Sequence, residues 1–168
     1  MRLLRPTTLR VRRATRLALV IATTALAGGC VDWGGPDGDT DAFSIAHGLW
    51  QDANLTSYDY VIQRRCISCP SDRASRRVTV TVRNDAVVER VYTGSTDPVP
   101  ASEATYYPTV DGLFVELEQM LRTAADVNRV AYSASLGYPL SVLIVPRGQA
   151  EEAGWEISSL TPATGSAP

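Results

Sequence analysis

The sequence predicts an α+β fold, with two helices packed on one face of an antiparallel sheet of about six strands. Two amphipathic stretches repeat their apolar residues at helical spacing, and Arg77–Arg83 alternates strictly between valine and polar residues. A helix followed by three strand candidates occurs twice along the chain, which suggests a tandem helix-plus-three-strand repeat. Such a sheet buries one face under its helices and leaves the other face polar.

The first helix is expected to start at Thr40 or Asp41, either of which can cap it, and to run to about residue 54. Phe43, Ala46 and Trp50 share one face of this helix. We therefore expect Trp50 to be buried against the sheet.

Three strands follow, recognised by their β-branched and aromatic residues: 58–66, 77–83 and 86–92. In the middle strand, three valines point to one side while arginine and threonine point to the other. Asn84 and Asp85 tolerate positive φ, so they predict a tight turn between the second and third strands.

The second half of the chain repeats this arrangement after a proline-rich connection. A helix is predicted from about residue 109 to residue 125, because Leu113, Leu117 and Leu121 fall on one face. Three further strands are expected, separated by a turn and a polar loop: 128–133, 139–145 and 155–160.

The N-terminal segment has the composition of a bacterial lipoprotein signal peptide. Residues 1–16 contain six arginines and no acid, and residues 17–27 form an apolar run. That run has about half of the roughly 20 residues that a spanning helix needs. Ala27-Gly28-Gly29-Cys30 resembles a lipobox, so we expect cleavage before Cys30 and lipid, including palmitate, on its sulfur. Ordinary secretion with an unpaired Cys30 is the alternative, and Arg12-Arg13 raises a twin-arginine route.

The predicted signal peptide and lipidation site divide the chain into four parts. These are a signal peptide over 1–29, a lipidated cysteine and flexible Gly/Asp-rich tether over 30–41, one α+β domain over 42–160 and a disordered tail over 161–168. The lipid would hold the protein on the extracytoplasmic side of a bacterial membrane. The mature chain keeps ten arginines, no lysine and eighteen acids, a formal charge of −8. This charge argues against nucleic acid as a partner.

Several short motifs along the chain resemble one family of bacterial lipoproteins, whose domain is of the unknown-function 6174 type. The motifs are Trp50, Tyr58-Asp-Tyr60, Cys66-Ile-Ser-Cys69-Pro70, the valine-rich strand 78–82, Leu113-Phe114, Val130-Ala-Tyr132 and Gly137-Tyr138-Pro139. The resemblance spans about residues 44–160 and implies an architecture and a location but no activity. The layout also looks like secreted inhibitor modules of the β-lactamase-inhibitor and PepSY sort, a likeness of fold alone.

Cys66 and Cys69 form an even pair once Cys30 carries lipid. Their spacing across a turn permits the Cα separation of a disulfide, and the compartment is oxidising, so we predict that they are bonded. The short enclosed loop implies a stabilisation of roughly 2 kcal/mol. A thiol-disulfide oxidoreductase using this pair is the alternative function. A zinc site would need two more ligands, and His47 is the single histidine.

Six arginines are predicted to form a basic patch on this acidic protein, mostly on the strand face opposite the valines. They are Arg64, Arg65, Arg73, Arg76, Arg77 and Arg83. We expect the patch to meet an anionic envelope component, such as phospholipid headgroups, a phosphate-bearing wall polymer or an acidic protein. The alternative is that these arginines only keep an exposed sheet face soluble.

The sequence thus predicts a non-enzymatic binding or accessory module of the cell envelope, without metal or cofactor and with an unknown ligand. His47 lies beside the apolar helix face, and no Gly-x-Ser-x-Gly motif accompanies it. We interpret it as a partly buried helix residue rather than a general base. Glu116 and Glu118 point to different sides of their helix and are expected to be solvated.

Overall fold

The computed structural model describes residues 36–65, 76–122, 125–148 and 152–164. These residues form two α-helices, one short 3₁₀ helix over Ala101–Tyr106, and six strands. The helices are α1 (Pro36–Ala53) and α2 (Val110–Arg122). The strands are β1 (Tyr58–Arg65), β2 (Arg77–Arg83), β3 (Ala86–Tyr92), β4 (Ala125–Tyr132), β5 (Pro139–Pro146) and β6 (Ala153–Pro162).

The six strands form a single antiparallel sheet in the order β3-β2-β1-β6-β5-β4. Each half of the chain contributes three neighbouring strands, and the halves meet where β1 pairs with β6. The connection that contains α2 carries the chain from β3 at one edge to β4 at the other. The predicted α+β fold class is confirmed, and the helix-then-three-strands order occurs twice.

Helix α1 begins at Pro36, several residues before its expected start at Thr40 or Asp41. Proline suits the first position of a helix, because that position has no intrahelical use for an N–H group. Aspartate is also a residue type that favours the start of a helix, because of the positive end of the helix dipole. Residues 36–41, assigned from composition to the flexible tether, are therefore helical. The helix ends before Asn54, whose φ of 46° is the left-handed conformation of a helix terminus.

Both helices bury their apolar faces on the same side of the sheet. Trp50, from α1, is 3% exposed, and the three valines of β2 are fully buried, as the sequence predicts. The largest fully buried side chains are Trp155, Tyr58, Tyr60, Tyr92, Tyr107 and Phe114. Because four of these six are tyrosines, the core contains hydroxyl groups that need hydrogen-bond partners.

Two turns place the strands as expected. Asn84 and Asp85 have φ values of 50° and 62°, so the predicted tight turn between β2 and β3 is confirmed. The turn before β5 is closed by a 2.8 Å hydrogen bond from the N–H of Gly137 to the carbonyl of Ser133.

The last strand is longer than predicted. At its C-terminal end, β6 extends to Pro162 because β1 offers paired residues over this length. Residues 161–162, predicted to belong to a disordered tail, are therefore in a strand.

Candidate functional site

Three arginines of the predicted patch lie at one end of the β1–β2 pair. Gln63 of β1 pairs with Arg77 of β2, so Arg65, two residues farther along β1, lies at the same end. Arg76 directly precedes β2. We call Arg65, Arg76 and Arg77 the arginine end. These residues flank segment 66–75, and Arg73, Cys66 and Cys69 lie outside the described residues.

The arginine end is exposed, and the described residues around it neutralise it only weakly. Arg65 lies 3.5 Å from Glu152, and both side chains are about half-exposed, so this ion pair contributes little. The guanidinium carbon of Arg76 lies over the ring of Tyr92, 4.6 Å from its centroid, in a cation–π contact. Arg65 and Arg77 lie on the open face of the sheet, whereas Arg76 contacts Tyr92 on the helix-covered face. The arrangement can therefore present two guanidinium groups, those of Arg65 and Arg77, to one anion.

Arg83 belongs to a different part of the surface. It lies at the opposite end of β2 from Arg77, six residues or about 20 Å away. Its guanidinium pairs with Asp59 at 3.1 Å and donates to the carbonyl of Tyr58, also at 3.1 Å. The structure therefore does not bring Arg83 together with the arginine end.

Arg64 lies on the helix-covered face and not in the exposed patch that the sequence predicts. It is 5% exposed, because alternate residues of a strand point to opposite faces and Arg64 shares the parity of Tyr60. Its two terminal nitrogens each donate to Glu116 at 2.8 Å, and its guanidinium lies 5.1 Å from the ring centroid of Trp155. Glu116, expected to be solvated, is thus a partner of Arg64.

Arg64 is part of a polar network that fixes the start of α2 on the sheet. Three consecutive backbone carbonyls accept hydrogen bonds from sheet residues: Tyr106 from Arg64 at 2.5 Å, Tyr107 from Arg90 at 2.7 Å, and Pro108 from the hydroxyl of Tyr60. The N–H of Val110 donates to the hydroxyl of Tyr58 at 2.9 Å. Buried polar groups are costly when unpaired, so this network determines where α2 lies.

The tyrosines of this network are hydrogen-bonding groups rather than acid–base groups. Burial raises the pKa of both Tyr58 and Tyr60 well above the usual value of a phenol. Burial also raises the pKa of Tyr107, to about 12. All three stay protonated at neutral pH, and their role in the described structure is to hold the fold.

A cleft of about 240 Å³ opens between α1 and α2. It is lined by Phe43, His47, Asp111, Phe114, Val115 and Glu118. The imidazole of His47 lies 4.6 Å from the ring of Phe114, and Phe43 meets the same ring edge-on at 5.7 Å. His47 is half-buried, in agreement with its interpretation as a partly buried helix residue.

The model of a family of unknown function, DUF6174, matches residues 42–162. The chain belongs to this family. The expected resemblance to a domain of the unknown-function 6174 type is thereby confirmed. The matched range reaches from α1 to the last residue of β6, so the DUF6174 domain includes both helix-plus-three-strand halves. No curated protein and no solved structure matches the chain.

Charge is unevenly distributed in the DUF6174 domain. The two α-helices carry seven carboxylates and a single arginine, whereas the six strands carry six arginines and four carboxylates. Among the described residues, no three side chains of His, Cys, Asp or Glu come together as a metal site would require. No helix in the described ranges is both long and apolar enough to cross a membrane.

Neither the cleft nor the role of Arg90 was predicted from the sequence. Phe43, His47 and Phe114 come from two helices that are far apart in the chain, so their meeting depends on how α1 packs on α2. Arg90 lies on β3, an edge strand of the sheet, where a charged residue is expected to be exposed. One available signal was strand parity, because Arg90 pairs with buried Val80.

Proposed function

We propose that the mature chain is a membrane-tethered extracytoplasmic lipoprotein, and that its DUF6174 domain is a non-enzymatic binding module of the cell envelope. The tether is supported by the basic N-terminus, the short apolar run and the lipobox-like residues before Cys30. The binding role is supported by one observation, the arginine end, which places Arg65 and Arg77 on one face of the sheet and Arg76 beside them at the same strand end, on an acidic protein.

The chemistry of the arginine end favours an anionic ligand with phosphate or carboxylate groups. Guanidinium groups pair with these anions through two parallel hydrogen bonds, which a point charge does not provide. Glu152 is a weak competitor, because its contact with Arg65 is long and half-exposed. Since the mature chain is acidic as a whole, such an anion would be recognised locally and not by net charge.

Removing the arginine end should abolish binding to anionic probes. The variant Arg65→Ser, Arg76→Ser, Arg77→Ser is made in residues 31–168, which lack Cys30 and keep every described element. Each basic residue near an anionic surface contributes about 1 kcal/mol, so three should account for a loss on the order of 100-fold. Sedimentation with phosphatidylglycerol vesicles and titration with soluble polyphosphate separate a lipid headgroup from a free phosphate polymer.

A matched triple variant controls for net charge: Arg83→Ser, Arg122→Ser, Arg129→Ser. These three arginines are described outside the arginine end, and their removal should change binding less than about threefold at low salt, where unspecific attraction is screened least. The proposal fails if the native chain binds neither probe, or if the two triple variants lose equal affinity.

Intact mass of the protein from its native membrane tests the tether. We expect a chain that begins at Cys30 and carries diacylglyceryl and acyl groups. Alkylation before reduction should leave Cys66 and Cys69 unmodified if they are bonded, as the sequence predicts. An unlipidated mass would contradict the tether. Two readily alkylated thiols would instead support the alternative function, a thiol-disulfide oxidoreductase using this pair.

A further inference from the structure

We propose that the cleft between α1 and α2 binds a small organic cation with alkyl groups on its nitrogen, such as an alkylammonium ion. This site is separate from the arginine end and does not depend on the proposed anionic ligand. Its lining combines aromatic rings with carboxylates, and no arginine is among the lining residues. That combination is the one that recognises cations with an apolar surface.

The aromatic part of the cleft is already assembled. Phe114 is 1% exposed and forms the floor, while the more accessible rings of Phe43 and His47 stand against it at 5.7 and 4.6 Å. Phe43 and His47 also contact each other, with ring centroids 5.7 Å apart. The three rings are already in mutual contact, so the aromatic side of the cleft needs no assembly when a ligand binds.

The charge of the cleft comes mainly from Asp111. One oxygen of this carboxylate accepts a 3.2 Å hydrogen bond from the indole N–H of Trp50, which positions the group at the cleft. Glu118 contributes less, because Arg122 of the same helix pairs with it at 2.5 Å. The lining carries two carboxylates and no arginine, so an approaching cation is attracted and an anion is repelled.

The same features favour an organic cation over a metal ion. A hard metal ion takes about six or more oxygen ligands, and the lining offers two carboxylates and one imidazole. Among the described residues, these groups do not come together as a metal site would require. An alkylammonium ion needs no coordination shell. It gains from contact with ring faces and from one nearby negative charge.

The single histidine of the chain provides a specific reporter, because only His47 contributes imidazole ring signals to an NMR spectrum of residues 31–168. Titration with choline chloride should shift these signals saturably in the millimolar range. The neutral isostere of choline, dimethylbutanol, should shift them at least about fivefold more weakly, as expected when roughly 1 kcal/mol of charge interaction is lost.

Asp111→Asn is the informative variant, since asparagine keeps an oxygen acceptor for Trp50 while removing the charge. We expect choline affinity to fall about fivefold or more, and Glu156→Gln, an exposed carboxylate of β6, to leave it unchanged. Glu118→Gln serves as a second variant if Asp111→Asn lowers the melting temperature. An absent or unsaturable shift overturns the proposal, as does equal affinity for the neutral isostere.

Discussion

Replacing Gly137 with alanine should destabilise the domain several times more than the same replacement at Gly94. The two glycines have nearly equal positive φ values, 76° and 81°, so the backbone strain of an alanine is the same at both positions, about 1 kcal/mol. A Cβ at Gly137 would lie 2.0 Å from the carbonyl oxygen of Ala46, whereas a Cβ at Gly94 has nothing within 4 Å.

The clash at Gly137 cannot be relieved by a side-chain rotation, because its nearest atom is backbone of α1. Either the turn or the helix has to move, and we expect a total loss of about 3–5 kcal/mol in unfolding free energy. Urea denaturation of both variants, with equal m-values, measures the difference directly. Equal losses at Gly94 and Gly137 would mean that α1 does not rest on this turn.

Breaking the Arg64–Glu116 pair should have the second largest effect. Arg64→Ala removes the two hydrogen bonds to Glu116, the one to Tyr106 and the contact with Trp155, so we expect a loss of about 3 kcal/mol. Glu116→Ala leaves a nearly buried guanidinium without its carboxylate. Because a third of the Glu116 side chain is exposed, solvent reduces this loss to about 2 kcal/mol.

A double-mutant cycle separates the pair from the other contacts of Arg64. We expect a coupling energy of about 1–2 kcal/mol between positions 64 and 116. The exposed pair of Glu118 and Arg122 on the same helix provides the matched control, and its coupling should not exceed about 0.5 kcal/mol. Coupling energies of the same size in both cycles would contradict a structural role for the buried pair.

Local sequence patterns predicted the parts of this fold that local physics determines. The strict alternation of β2 fixes which residues face the core, and its bounds were predicted without error. The 3₁₀ helix over Ala101–Tyr106 was not predicted, because it is held by hydrogen bonds from distant strands rather than by its own periodicity. The start of α1 at Pro36 was missed for a different reason. The Gly- and Asp-rich composition of this segment predicted a flexible tether, and the preference of proline for the first position of a helix was not considered.

The predicted arginine patch was partly wrong, because it grouped arginines without considering which face of its strand each one points to. Arg64 and Arg65 are neighbours in the chain, but a strand sends them to opposite faces. Glu116, the partner of Arg64, is 52 residues away, so no local signal connects them. The arginine end could be predicted from the sequence, since Arg65, Arg76 and Arg77 flank one predicted loop. The cleft could not, because it depends on how the two helices pack.

If Cys30 carries the proposed lipid, the early start of α1 limits how far the domain can lie from the membrane. Only residues 31–35 separate Cys30 from Pro36, and such a segment spans at most about 22 Å when fully extended. On the proposed anchor, the first turn of the helix cannot leave the membrane surface by more than this distance. The domain would therefore have a high effective concentration at the membrane surface. It would bind partners farther out in the envelope only when those partners approach the membrane.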